Sequence, residues 1–370
     1  MVDTTVKYFS STMSGAPALS GTAGTLIGVL DACLVNGFGS VTLDSLVVAS
    51  NVATGTVSAG HNFAMVGNTG PVITIAGATP AGLNGEWRIA SIPGSTTFTF
   101  ATTGISDQTA TRTNSEVPIT AKRAPGGFEK AYFDTNKAVY RSLNLQGCRL
   151  FLRIDDTGTT SAQARMYEAM TSVNDGTGAT PAADMTVSKS SASTARAWGL
   201  VTDGRLFYFF NGHTGNDYLT CLVFGDIIDF SAANAYGSWL LVSTTNPSTS
   251  LCRLSTNAYS FIARNYTQSG SYISSYLYSH NISGGTQYMG SAGSPVPNPV
   301  NNSIHFWPVE IWEGGAQARG IPPGLWNPVH AGLSAHATYT DIPQLPNRTL
   351  MIFIQGSSYR CAIDLTGPWR

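Results

Sequence analysis

Residues 1–41 hold the one convincing amphipathic helix of this chain, and nearly everything after them is patterned for strands. Leu26, Ile27, Leu30 and Leu34 recur at helical spacing. Thr22 is placed to cap the start, and Asn36-Gly37 supplies a left-handed stop. The apolar stripe needs a partner, and the nearest candidate is a sheet formed by residues 119–155. Beyond residue 41 the period falls to two. Thr97-Phe98-Thr99-Phe100 puts both rings on one face, and Glu86-Trp87-Arg88-Ile89 alternates in the same way. Such a chain is expected to be mainly β, with a multi-domain, β-sandwich or barrel-like architecture, one N-terminal helix and an inserted small β-module.

The module is expected at 43–118. Val72-Ile73-Thr74-Ile75 reads as a strand and Asn84-Gly85 as a hairpin turn, since both residues tolerate positive φ. Its ends, near Val41 and Ile119, should lie close together, as insertion into a host domain requires. Residues 1–42 with 119–255 then form the host domain. Its strands fall at Ala138–Ser142, Arg149–Ile154, Gln163–Met170, Ala197–Val201, Arg205–Phe210, Leu222–Ile227 and Ser238–Val242. Asp155-Asp156-Thr157-Gly158 and Asp203-Gly204 read as turns, and 172–195 as a long loop. A C-terminal β-rich domain covers 256–370. It opens on an irregular tyrosine-rich stretch and an extended segment at Pro295, Pro297 and Pro299, and ends in strands at His305–Trp312, Thr349–Ile354 and Tyr359–Leu365.

Charge narrows the function. Only 11% of residues are charged and the formal net charge is −1, against roughly 25% charged in a typical soluble domain. No basic stripe marks a nucleic-acid binder. The Lys residues are confined to positions 7, 122, 130, 137 and 189, and Arg supplies the other cations, which suits interfaces. Cys33, Cys148, Cys221, Cys252 and Cys361 are odd in number and scattered, which argues against a disulfide framework or a zinc module and for free thiols kept reduced in a cytoplasm. The N-terminus lacks the basic start of a signal peptide, and no apolar run is long enough to span a membrane.

The motifs of common chemistries are missing. There is no G-x-S-x-G, no complete G-x-G-x-x-G, no Walker loop and no H-E-x-x-H. His330 and His336 are the only histidines near each other. A glycoside hydrolase could draw on Asp155, Asp156, Glu168, Asp226, Asp229, Glu310 and Glu313, but none stands in a pattern that turn or strand-end roles do not explain. No catalytic, metal or cofactor residue is therefore assigned. The best contact residues are Tyr266, Tyr272, Tyr276 and Tyr278, because tyrosine joins a flat apolar face to a hydroxyl, as interfaces and sugar surfaces both use. The sequons Asn265-Tyr266-Thr267 and Asn281-Ile282-Ser283 read as incidental.

One stretch resembles a known family. Val6-Lys7-Tyr8-Phe9-Ser10-Ser11-Thr12-Met13-Ser14-Gly15-Ala16-Pro17, followed by Leu30-Asp31-Ala32-Cys33-Leu34-Val35-Asn36-Gly37-Phe38-Gly39, is similar to virion structural proteins of tailed bacteriophages and prophages. The likeness continues through Ala124-Pro125-Gly126-Gly127-Phe128-Glu129-Lys130 and Arg153-Ile154-Asp155-Asp156-Thr157-Gly158 to Ile363-Asp364-Leu365-Thr366-Gly367-Pro368-Trp369-Arg370. It implies a non-enzymatic component of the tail tip or baseplate, or a minor tail protein, made in the host cytoplasm. Its expected partners are other copies of itself in a ring or trimer, neighbouring tail proteins and a host surface receptor. The alternatives are a receptor-binding or tail-fibre-type protein contacting host glycan, a capsid decoration protein, and a virion-associated polysaccharide hydrolase.

Overall fold

The computed structural model describes residues 3–215, 220–231, 234–243, 250–254, 256–279, 289, 304–314, 317–330, 333–340, 342–355 and 359–370. Tyr288, the Asn281 sequon, His280 and the segment at Pro295, Pro297 and Pro299 lie outside the described residues. Strands make up 52% of the protein, arranged in several antiparallel sheets, with a single 12-residue helix near the N-terminus. The architecture is thus mainly β, and no sheet closes into a barrel.

The helix has an α-helical half, Thr25–Leu30, and a wider π-helical half, Asp31–Asn36. Leu26, Ile27, Leu30 and Leu34 pack with Phe128, Tyr140, Leu152 and Ile154, so the docking surface is the anticipated sheet. Gly37, at φ 69°, ends the helix. The start differs from expectation. Gly24 occupies the cap position and no local side chain caps it. Instead Asp156 Oδ2 accepts the N–H groups of Leu26 and Ile27, at 2.8 and 3.2 Å. Nor is Asp156 part of an exposed turn. Both its side chain and that of Lys189 are fully buried, and they form an ion pair. The Lys189 ammonium also donates to Thr22 O at 2.8 Å and Gly158 O at 2.7 Å. Unpaired N–H groups at a helix start and the positive end of its dipole attract a carboxylate, and the turn after strand Phe151–Asp155 delivers one there.

One large sheet organises the rest. Its order is Lys7–Ser10, Trp198–Thr202, Leu206–Asn211, Thr220–Asp226, Ser238–Ser243, Thr256–Ile262, Ile273–Ser279, His305–Glu313, Leu325–Val329, Tyr359–Asp364, Leu350–Gln355 and Thr338–Tyr339. Trp239 pairs with Ile262 and Leu241 with Ser260, which carries the sheet from Ser238–Ser243 into Thr256–Ile262. Alternation gives it two apolar faces. Phe207, Phe209, Leu222, Phe224, Leu240 and Val242 meet a five-stranded sheet spanning Phe128–Ser188. Tyr208, Phe210, Val223, Trp239 and Leu241 meet Met351, Phe353 and Ile363, because the sheet curls until its late strands lie against its early ones. Phe210 and Phe353 stack there, 4.3 Å apart.

The five-stranded sheet includes Thr180–Ser188, within the stretch read as a loop. Met185 and Val187 are its buried anchors, and the small hydroxyl residues around them hide the alternation. Residues 38–123 form an eight-stranded sheet with its own core, including Leu46, Ile73, Ile75, Ile89, Phe98 and Phe100. Thr42 pairs with Thr120, and Leu43 N–H donates to Ile119 O at 2.8 Å, which brings the ends of the 43–118 segment together. Asn84-Gly85 is not a hairpin turn. Asn84 is extended, with φ −77° and ψ 145°, and its side chain clasps Ala78 N and O at 2.9 and 2.7 Å. Arg88 ties this sheet to the rest by donating to Asp3 O, Val6 O, Gly70 O and Thr366 O.

Candidate functional site

Strands Ile273–Ser279 and His305–Glu313 pair with Tyr276 opposite Trp312 and Tyr278 opposite Glu310. Opposed residues on antiparallel strands share a face, so these four side chains form one patch. Their alternates Ser275, Leu277, Ser279, Ile311 and Glu313 are buried on the other face. Trp312 lies 6.5 Å from the Tyr276 ring and 5.5 Å from Tyr278. Its indole N–H donates to Glu310 Oε2 at 2.8 Å. Tyr278 is 51% exposed.

On this side of the large sheet, among the described residues, the five-stranded sheet packs mainly on the strands before these two. The outer strand of that sheet, Thr180–Ser188, reaches Thr220–Asp226, Ser238–Ser243 and Thr256–Ile262.

The structure therefore joins two of the four predicted tyrosines. Tyr272 instead packs edge-on against Phe261, 5.5 Å away, and Tyr266 stands exposed in a loop. Sequence reasoning missed Trp312 and Glu310 as members of the patch. Their strand was legible, but the register that sets them beside Tyr276 and Tyr278 was not.

The carboxylates considered for hydrolysis have other tasks. Asp155 bonds Arg153 at 3.1 Å and lies 3.6 Å from Lys137. Asp156 holds Lys189. Glu168 grips Arg264 through both oxygens at 2.6 Å. Asp226 takes Arg205 at 3.1 Å, and Asp229 and Glu313 share Arg319. Glu310 is the exception: it has no cationic partner among the described residues.

A second concavity, of about 490 Å³, is walled by Gln146, Cys148, Arg205, Asp229, Asn234 and Arg370. Burial, reinforced by the Asp226 charge, pushes the Cys148 thiol up to about 12, so it is a poor nucleophile at neutral pH. Among the described residues, no group of three or more His, Cys, Asp and Glu side chains is placed to share a metal ion. No helix among them is long and apolar enough to cross a membrane. No protein-family model matches the chain, and no curated protein matches it.

Proposed function

We propose that this protein is a non-enzymatic structural component of a tailed-phage virion, seated in the tail tip or baseplate. It is made in the host cytoplasm and assembles there with further copies of itself, as a ring or trimer, and with neighbouring tail proteins. The observation that carries the reading is the aromatic patch of exposed Tyr278 beside half-buried Tyr276 and Trp312 on a large sheet. Rigid aromatic side chains supply contact area at low conformational-entropy cost. Apart from Glu310, the carboxylates considered for hydrolysis are engaged by Arg or Lys side chains, as in a part that supports contacts rather than turns over a substrate. The sequence likeness to virion proteins points the same way.

Antibody-gold labelling of intact particles tests the placement: label at the tail end is expected, and label over the head would replace this reading with capsid decoration. Changing Tyr276, Tyr278 and Trp312 together to Ser should lower self-association of the purified protein, measured by light scattering. Unchanged association refutes the role of this face.

One observation favours a second reading, a receptor-binding protein that touches host glycan. Glu310, which has no cationic partner among the described residues, lies within the aromatic patch, and a carboxylate beside aromatic rings suits sugar hydroxyls. Loss of adsorption on Glu310→Gln with particle assembly intact would favour it, and unchanged adsorption would count against it.

A further inference from the structure

Among the described residues the buried Lys and Arg side chains are Lys7, Arg88, Arg123, Lys189 and Arg319. Buried cations are normally matched by anions. Lys7 has Glu86, Lys189 has Asp156, and Arg319 has Glu313 and Asp229. Arg88 gives its protons to four carbonyls and lies in the field of Asp3 and Asp364. Arg123 differs. It is 3% exposed and forms no ion pair among the described residues. Its Nη1 donates to Ser14 O at 3.2 Å and its Nη2 to Asn62 O at 2.9 Å. The rings of Phe38 and Phe63 lie 5.5 and 5.3 Å from its Cζ. Its Nε–H is buried with no partner. Desolvation with no acid to offset it brings the guanidinium down to about 10.

Arg123 also lines a cleft of about 750 Å³ between the N-terminal segment and the 43–118 segment. That volume suits a small ligand. Hydroxyls of Ser10, Thr12, Ser58, Ser95 and Thr96 border it, and Phe63 contributes an apolar wall. Ser10 and Thr12 hydroxyls bond each other at 2.9 Å, and each retains capacity for another partner. The planar guanidinium fork matches a carboxylate, while hydroxyls beside an apolar wall match a sugar ring.

We propose that this cleft binds a carboxylate-bearing sugar, such as a hexuronic acid unit of an acidic polysaccharide, with Arg123 as counter-ion to the carboxylate. Binding would supply the negative charge that the fold withholds from this buried cation.

Calorimetry on the full chain tests this, with glucuronate, glucose, acetate and inorganic phosphate as separate probes. Glucuronate is expected to bind, with glucose, acetate and phosphate each at least about tenfold weaker. Arg123→Lys should weaken glucuronate by about tenfold, because it keeps charge and loses the fork. Arg123→Met is a severe change at a buried site, so Ala59→Trp serves as a second variant. Ala59 is exposed and lines the cleft, so a Trp there should block the mouth and abolish binding in a protein with an unchanged circular dichroism spectrum. No glucuronate binding at millimolar concentration overturns the proposal, as does equal binding in a folded Ala59→Trp. Phosphate binding as well as glucuronate overturns the sugar assignment.

Discussion

The buried Asp156–Lys189 pair lends itself to a double-mutant cycle. Each side chain is fully buried, and Asp156 also holds two amides at the start of the helix. Lys189→Met leaves a buried carboxylate with those amides and no counter-charge. Asp156→Asn leaves a buried ammonium that keeps the Thr22 and Gly158 carbonyls. Removing one partner of such a pair costs about 3–5 kcal/mol. Asp156→Ala should cost about 1 kcal/mol more than Asp156→Asn, because the amide oxygen of Asn still caps the helix and a methyl group does not. The combined Asp156→Asn, Lys189→Met variant should lose far less than the sum of the single losses. Burial raises the Asp156 carboxyl above its ordinary value, against the pull of Lys189 and the amides of Ile27 and Leu26. The sign follows. A carboxyl whose folded value is raised binds its proton more tightly in the native state. Its stabilising contribution is therefore full below the unfolded value, about 3.9, and is lost as pH rises through the raised folded value. Asp156→Asn cannot ionise and should flatten that slope. Urea unfolding across pH, with m-values compared between variants, measures the free energies. Hydrogen exchange at Leu26 and Ile27 reads the cap locally: protection should survive Asp156→Asn and fall in Asp156→Ala. A double variant whose loss equals the sum of the singles to within about 0.5 kcal/mol refutes the coupling.

Other outcomes are as concrete. Burial holds the Cys33 and Cys361 thiols well above their usual value and Cys148 at about 12, so a thiol reagent at pH 8 should leave these three unmodified in the native protein and label all five cysteines after unfolding. Rapid native labelling of Cys148 would contradict its environment. The Ser58 hydroxyl and N–H hold the Asp44 carboxyl below its ordinary value. The stabilisation this gives is present above the unfolded value and lost as pH falls through the folded one. Ser58→Ala should therefore raise the Asp44 titration midpoint seen by NMR, and an unmoved midpoint would count against the contact. Phe98 is fully buried between Phe63, His61 and Phe100. Phe98→Ala should destabilise the 38–123 sheet by about 3–5 kcal/mol, read as lost exchange protection in strands Val52–Thr56 and Thr97–Ala101. Protection at the native level would refute the packing.

What could be read in the sequence was local. The Phe98 and Phe100 alternation and the Leu26, Ile27, Leu30, Leu34 stripe each declare a buried face within a few residues, and both faces are buried. The cap was misassigned because the oxygen that fills it belongs to Asp156, far along the chain, while Thr22 looked sufficient by proximity. Strand Thr180–Ser188 was masked by its Ala, Thr and Ser content, since only Met185 and Val187 of it join the apolar core. At the aromatic face, the stretch that holds Tyr276 and Tyr278 was read as irregular, and the structure places both on strand Ile273–Ser279, because the small Ser residues around them hide the alternation. Trp312 and Glu310 join them through strand register. That register is not written in the neighbouring residues.

The closure of the 43–118 segment has a mechanical consequence. Its two connecting strands, Phe38–Thr42 and Thr120–Arg123, run antiparallel and side by side. A pull on the far end of the segment would load their hydrogen bonds one after another, as in a zipper, the weak direction for a sheet. Arg88 changes the load path. Its bonds to Asp3, Val6 and Thr366 anchor the segment to both terminal stretches of the described chain. Tension would reach that anchor from several directions at once, and Arg88→Ala should turn a stiff mount into a peelable one.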